Sequence, residues 1–348
     1  MQCNNSNSRF NIVATMLSIV CSLAASAFGQ ITVTSPTNNS DVAMPVQLTA
    51  QFAGCSGTPT AFGYSIGNSP FITWGSSATT ISNTDYRLSS PGTYVIHFKG
   101  WSNGNPTPCV TNINVTATGS TTTTVPNIEL NTTYKWVSDS GTGGSAAGTT
   151  QLVSGSPCQD SQCREFAVTS YTNYGGMRWS TTFGSDPNHV ATHFIYDAYI
   201  YFTNPADVQN VEMDTNQVWD SSNDVLIYGT QCATVSGGAD WEYTTDDIVN
   251  GKQVDTWNKS LACPVPGAWS SNAWHHAQIA VHRDGNGNAY YDSVLFDGVI
   301  YDLNNEGYSS FSLNWGAGDL ILNFQIDGKG SSGSIPTFYV DGLTEIYW

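Results

Sequence analysis

The chain has 348 residues, enough for two domains that each bury a core of their own. Only 11% of residues are charged and 12% are aromatic, which excludes a disordered chain, and no Glu/Lys/Ala-rich stretch is present to build helices. Ten Lys and Arg stand against 27 Asp and Glu, a net charge of −17, which excludes a nucleic-acid or anionic-lipid surface because phosphate contact depends on clustered Lys and Arg.

Residues 1–29 read as a cleaved signal peptide. Arg9 is the basic start, Ile12 to Ala25 is an apolar run too short to span a bilayer, and Ala25-Ser26-Ala27 and Ala27-Phe28-Gly29 are small-residue cleavage sites. Removing them leaves nine basic residues against 27 acidic ones. The expected location is extracellular or periplasmic, with no later membrane insertion and a neutral partner. Six cysteines remain: Cys55, Cys109, Cys158, Cys163, Cys232 and Cys263. An even number in an exported chain reads as three disulfides, and placement along the chain favours 55–109, 158–163 and 232–263. No pair has CxxC spacing and no His lies beside them, so a cysteine metal site is not expected.

Residues 30–117 form the first unit. Ile31 to Thr34 is a strand that runs into the turn cluster Ser35-Pro36-Thr37-Asn38-Asn39. Val46 to Ala50 alternates with period two, and Thr93 to Phe98 and Val110 to Val115 follow as strands. Short strands at this spacing predict a β-sandwich. The Ser-Pro-x-Asn end of the first strand, followed by a Val-rich second strand, resembles bacterial immunoglobulin-like domains. That resemblance implies a spacer or adhesion unit. Residues 118–126, rich in Thr and Ser and ending at Pro126, read as a linker.

Residues 127–348 carry strand-like runs at Phe194 to Phe202, Val208 to Trp219, Val225 to Thr230, Ala277 to Arg283 and Leu320 to Asp327, with no amphipathic helix. An all-β, two-sheet jelly roll is expected. In Val211 to Gln217, strand geometry places Glu212, Asp214 and Asn216 on one face and Val211 and Met213 on the other. Carboxylates and amides in a row are costly to bury without partners, so the polar face belongs either to a solvated cleft or to a purposeful site. By the same alternation Trp274, His276 and Gln278 lie opposite the apolar His275, Ala277, Ile279 and Val281, and Asn323 and Gln325 lie opposite Leu320, Leu322, Phe324 and Ile326. Joined on one concave sheet, these eight polar and aromatic residues would make a single carbohydrate-binding cleft, with aromatic faces stacking on sugars and amides taking hydroxyls.

The Glu212-x-Asp214-x-Asn216 row resembles the Glu-x-Asp-x-Glu signature of family 16 glycoside hydrolases in the concanavalin A-like lectin/glucanase superfamily. Trp274 to Val281, Val294 to Gly298, Leu320 to Phe324 and Phe338 to Tyr347 resemble later strands of that family, in order. The resemblance implies a concanavalin A-like jelly roll acting on β-glucan-type polysaccharide, with Glu212 as nucleophile and Asp214 orienting it. The acid/base position holds Asn216, followed by Gln217. A retaining glycosidase needs two carboxyl groups about 5–5.5 Å apart, and an amide cannot deliver the proton. The sequence therefore points first to a polysaccharide-binding, lectin-like protein. A secreted glycoside hydrolase recruiting Asp240 or Glu242 is the alternative, and a structural or adhesive surface protein is a third. No cofactor is expected. Asp284-Gly285-Asn286-Gly287-Asn288 has oxygen ligands at alternate places but Leu295 where a calcium loop needs Glu, so it reads as a hairpin turn. A structural calcium elsewhere would suit the superfamily.

Overall fold

A computed structural model describes residues 31–42, 46–52, 57–67, 71–73, 78–85, 92–118, 122–132, 136–140, 144–218, 224–235, 238–249, 252–312 and 318–348. The leader and Cys55 lie outside the described residues. Among those described, the protein is strand throughout, broken by two short 3-10 turns at Ile128–Leu130 and Pro266–Ala268. No described helix is long and apolar enough to cross a membrane.

The N-terminal stretch contributes β1 (Thr32–Ser35), β2 (Ser40–Val42), β3 (Val46–Gln51), β4 (Pro59–Ile66), β5 (Ile72–Thr73), β6 (Thr80–Asp85), β7 (Gly92–Ser102) and β8 (Asn105–Ala117). The first, third and sixth form one sheet, and the rest align as β5-β4-β7-β8-β2. Period-two alternation explains the packing. Leu48, Ala50 and Ile81 from the first sheet meet Phe62, Tyr64, Ile96, Phe98, Ile113 and Val115 from the second. The buried Tyr64 hydroxyl in that layer donates to Asp85 at 2.7 Å, so its burial leaves no polar group stranded.

The chain continues through β9 (Thr123–Val125), β10 (Val137–Ser140), β11 (Ala146–Ser154), β12 (Gln162–Thr172), β13 (Gly176–Ser185), β14 (His193–Phe202), β15 (Val208–Val218) and β16 (Asp224–Val235). Then come β17 (Gly238–Val249), β18 (Lys252–Ala262), β19 (Ala273–Arg283), β20 (Asn288–Phe296), β21 (Val299–Ser309), β22 (Phe311–Ser312), β23 (Asp319–Gly328) and β24 (Ser332–Tyr347). Within the stretch read as linker, β9 is a strand that pairs with β24.

Two sheets pack face to face. The front sheet runs β10-β13-β23-β15-β16-β17-β18 and the back sheet β11-β12-β24-β14-β19-β20-β21. The back sheet joins the N-terminal stretch through a parallel contact of Val299 with Thr73. Leu295 and Ile300 complete the N-terminal core from across that contact.

Between front and back sheets lies an aromatic core. Phe166 sits 4.9 Å from Trp179, 5.8 Å from Phe324 and 5.5 Å from Phe338, centroid to centroid. Each such side chain contributes roughly 1.5–3 kcal/mol by leaving water. The 3-10 turn at Ile128–Leu130 ties the start of this unit to its last strand. The Glu129 carboxylate accepts the Gly342 and Leu343 amides at 3.2 and 2.9 Å, and Arg164 Nε donates to the Glu129 carbonyl. Burial pushes the Glu129 carboxyl up to about 7. Disulfides join Cys158 to Cys163 and Cys232 to Cys263, and Cys109 is also disulfide-bonded.

Candidate functional site

On β15 the core side holds Val211 and Met213, so Asn210, Glu212, Asp214 and Asn216 point away from the core. The next two strands on one side, β23 and β13, obey the same rule. Leu322, Phe324 and Ile326 of β23 face inward and send Asn323, Gln325 and Asp327 outward, while inward Met177 and Trp179 of β13 leave Arg178 and Ser180 outside.

Register then lines these residues up. One row reads Arg178, Gln325, Glu212, Gln231, Glu242, Lys259 across six strands. The next reads Ser180, Asn323, Asp214, Gly229 and continues to Thr244, whose hydroxyl accepts the Gly229 amide at 3.2 Å, and to its partner Trp257. Five strand spacings make each row about 24 Å long.

The side chains bury one another, leaving Glu212 8% exposed and Asp214 2%. Arg178, Ser180 and Trp257 are half-buried and Lys259 is exposed at the flanks. Hydrogen bonds knit the array. Asn210 donates to Gln231 at 2.6 Å, Gln231 to Glu242 at 2.7 Å, Asn323 to Asp214 at 3.2 Å and Gln325 to Asp327 at 3.1 Å. Gly229 is required here: a Cβ would come within 2.8 Å of the Thr244 side chain and 3.4 Å of Asp214 Oδ1.

Burial raises several carboxyls of this face. Burial, then the charges of Asp214 and Asp327, drive the Glu212 carboxyl well above the ordinary range, and a hydrogen bond links it to Asp214. Each of these influences favours the protonated form of Glu212, in which it can donate to Asp214. Burial likewise raises Glu242, against the opposing pull of Gln231 and Lys259, and pushes Asp327 up to about 6.

The eight residues expected to share one cleft do not share it. Glu212, Asp214, Asn216, Asn323 and Gln325 stand together on the front sheet, whereas Trp274, His276 and Gln278 belong to β19 of the back sheet. The reason is topological. Each sheet turns its apolar face to the common core, so the polar faces of the two sheets point in opposite directions. Asn216 is nearly inaccessible and donates to the Ile321 carbonyl at 3.3 Å. Trp274 donates its indole N–H to Pro157 O at 3.0 Å. His276 and Gln278 both hydrogen-bond to Asp197, at 2.9 and 2.7 Å.

Alternation could have found the missing members. Gln231 precedes the core residue Cys232, and Glu242 follows the core residue Trp241. Trp179, Trp241 and Trp269 are core side chains, and among the described residues Trp257 is the tryptophan paired into the front rows. The Asp284–Asn288 segment is a hairpin turn between β19 and β20. Its Asp284 carboxylate accepts the Asn286 and Asn288 amides at 2.8 and 2.9 Å, which lowers its pKa to about 2.

No protein-family model matches the chain, and no curated protein matches it. Solved structures similar to it include carbohydrate-binding modules of the β-sandwich superfamily described as promiscuous in specificity. That match has 13% identity and a TM-score of 0.31, over 90% of this chain and 96% of the other. A family 11 carbohydrate-binding module from Clostridium thermocellum, in complex with a β-1,3-1,4-mixed-linked tetrasaccharide, is 12% identical with a TM-score of 0.29, over 64% of this chain and 94% of that one. An alginate lyase from Chlorella virus is 12% identical with a TM-score of 0.37, over 61% and 93%. At these values the likenesses carry no chemistry across.

Proposed function

We propose that the protein binds a neutral polysaccharide along the outer face of its front sheet. The observation that carries this reading is the pair of rows crossing six strands, in which amides and buried carboxyls stand side by side with Trp257 at one end. Hydroxyl groups both donate and accept, and a run of Gln and Asn amides beside buried carboxyl groups answers both needs. Trp257 adds an apolar face against which a sugar ring can lie. Burial, by favouring the protonated form of Glu212, also lessens the charge this face presents. We read residues 30–117 as an immunoglobulin-like spacer and the protein as exported, in keeping with its disulfides.

A glycoside hydrolase is the second reading, favoured by Glu242. It sits two strand spacings from Glu212, about 10 Å between Cα atoms, a separation within which an inverting pair of carboxyls fits. Such a pair needs one ionised member, and burial drives both of these toward the protonated form.

The test is incubation with insoluble and soluble neutral and acidic polysaccharides, scored for depletion of protein from solution and for new reducing ends. Depletion by a neutral polymer without new ends is expected, with Trp257→Ala weakening affinity about tenfold. New reducing ends lost in Glu242→Gln would replace binding with hydrolysis, and no depletion by any polymer would overturn both.

A further inference from the structure

The outer face of the back sheet carries a cavity that the front-face reading does not use. A row of Thr344, Asp197, Gln278 and Leu295 crosses four strands of that sheet, and Tyr199 and His276 form the row beside it. Phe71 and Ile72 from the N-terminal stretch close over this floor, held by the Thr73 amide donating to Gly298 O at 2.7 Å. The space enclosed is about 620 Å³, within the range of small-molecule sites.

Its chemistry is specific. The Asp197 carboxylate accepts from His276 Nε2 and Gln278 Nε2, which leaves the Gln278 carbonyl oxygen and, in the neutral imidazole, His276 Nδ1 as acceptors. Tyr199 stacks on His276 with ring centroids 4.5 Å apart, so the floor is held rigid. Asp297 contributes a second carboxylate at the rim, and among the described residues no Lys or Arg lines the cavity. The apolar roof of Phe71 and Ile72 faces a floor rich in acceptors. A ligand with one apolar face and several O–H donors suits both walls, and an anionic sugar meets two carboxylates.

We propose that this cavity is a second saccharide site, taking a short neutral sugar, and that it is independent of the polymer-binding front face. Because Phe71 and Ile72 are half of the site, occupancy would also fasten the N-terminal stretch to the back sheet.

The test uses the full chain and neutral di- to hexasaccharides of glucose, xylose, mannose and galactose, followed by calorimetry and ligand-observed NMR. Two variants address the cavity: Gln278→Ala removes an acceptor, and Thr344→Trp fills the space. Trp257→Ala with Glu212→Gln addresses the front face, and circular dichroism checks that every variant folds. The expected result is short-sugar binding that survives the front-face double variant, falls on the order of tenfold in Gln278→Ala and disappears in Thr344→Trp. Binding lost only with the front-face changes would overturn the cavity site and leave the proposed function standing. Polymer binding that persists in Thr344→Trp, with no short-sugar binding in the native chain, would also overturn the cavity site alone. Loss confined to the two cavity variants, with polymer binding untouched by the front-face changes, would support the cavity and overturn the front face.

Discussion

Glu345 offers the sharpest test of the electrostatic reasoning. It lies on β24 facing the core, where Thr215 Oγ1 donates to its Oε1 at 2.9 Å and its Oε2 finds no partner. Burial pushes its carboxyl from the ordinary 4.5 up to about 8, against the opposing Thr215 bond and with the charge of Asp197 adding to the rise. The folded protein therefore keeps a proton that the unfolded chain releases once pH exceeds 4.5. Stability is greatest below that value, falls as pH climbs by up to about 1.4 kcal/mol per pH unit, and levels off above 8. The full displacement corresponds to a loss on the order of 5 kcal/mol. Glu345→Gln keeps an acceptor for Thr215 and cannot ionise. Urea unfolding followed by tryptophan fluorescence between about pH 5 and pH 8 should give a variant close to the native protein at the acid end and several kcal/mol more stable at the alkaline end. Some slope will remain, since Glu129 and Asp327 are raised to about 7 and about 6. Parallel pH profiles for the two proteins, or a variant less stable at the alkaline end, would refute the assignment.

The Cys232–Cys263 disulfide closes a loop of 31 residues in sequence separation. Replacing both with Ser should lower unfolding stability by about 3–4 kcal/mol through the freer unfolded chain, read as a shift in denaturant midpoint; an unchanged midpoint would count against it. Gly229→Ala should cost roughly 1–3 kcal/mol by overpacking, because Thr244, hydrogen-bonded to Tyr291 OH at 2.9 Å, has little room to yield. It should also weaken polymer binding, and a variant as stable as the native chain would show that Thr244 has room to yield.

Period-two alternation made most of the fold legible. The runs at Phe194 to Phe202 and Leu320 to Asp327 are strands with nearly those limits, and the face assigned to each of Glu212, Asp214, His276 and Asn323 is the one observed. Alternation is a local property of one strand. It says which side chains oppose the core, and it is silent on which sheet a strand joins. The expectation of a single cleft failed at that step, because β15 and β23 pair with each other while β19 pairs with β14 and β20.

The same limit hid a polar seam inside the core. Thr215 and Gln217 share the core side of β15 with Val211 and Met213, where apolar residues would be expected. Gln217 donates to Asp186 at 3.2 Å and to the Ala191 carbonyl at 2.8 Å, and accepts from Arg283 Nε at 3.1 Å. Thr215 meets Glu345 from the opposite sheet. Each partner is distant in sequence, so no local pattern announces it, yet together these contacts remove the cost of burying amide and hydroxyl groups. They also fix how β15 sits against the back sheet, since a one-residue slip would send Glu212 and Asp214 into the core and Met213 out. The row proposed to meet polysaccharide on one side of β15 therefore depends for its register on the polar seam on the other.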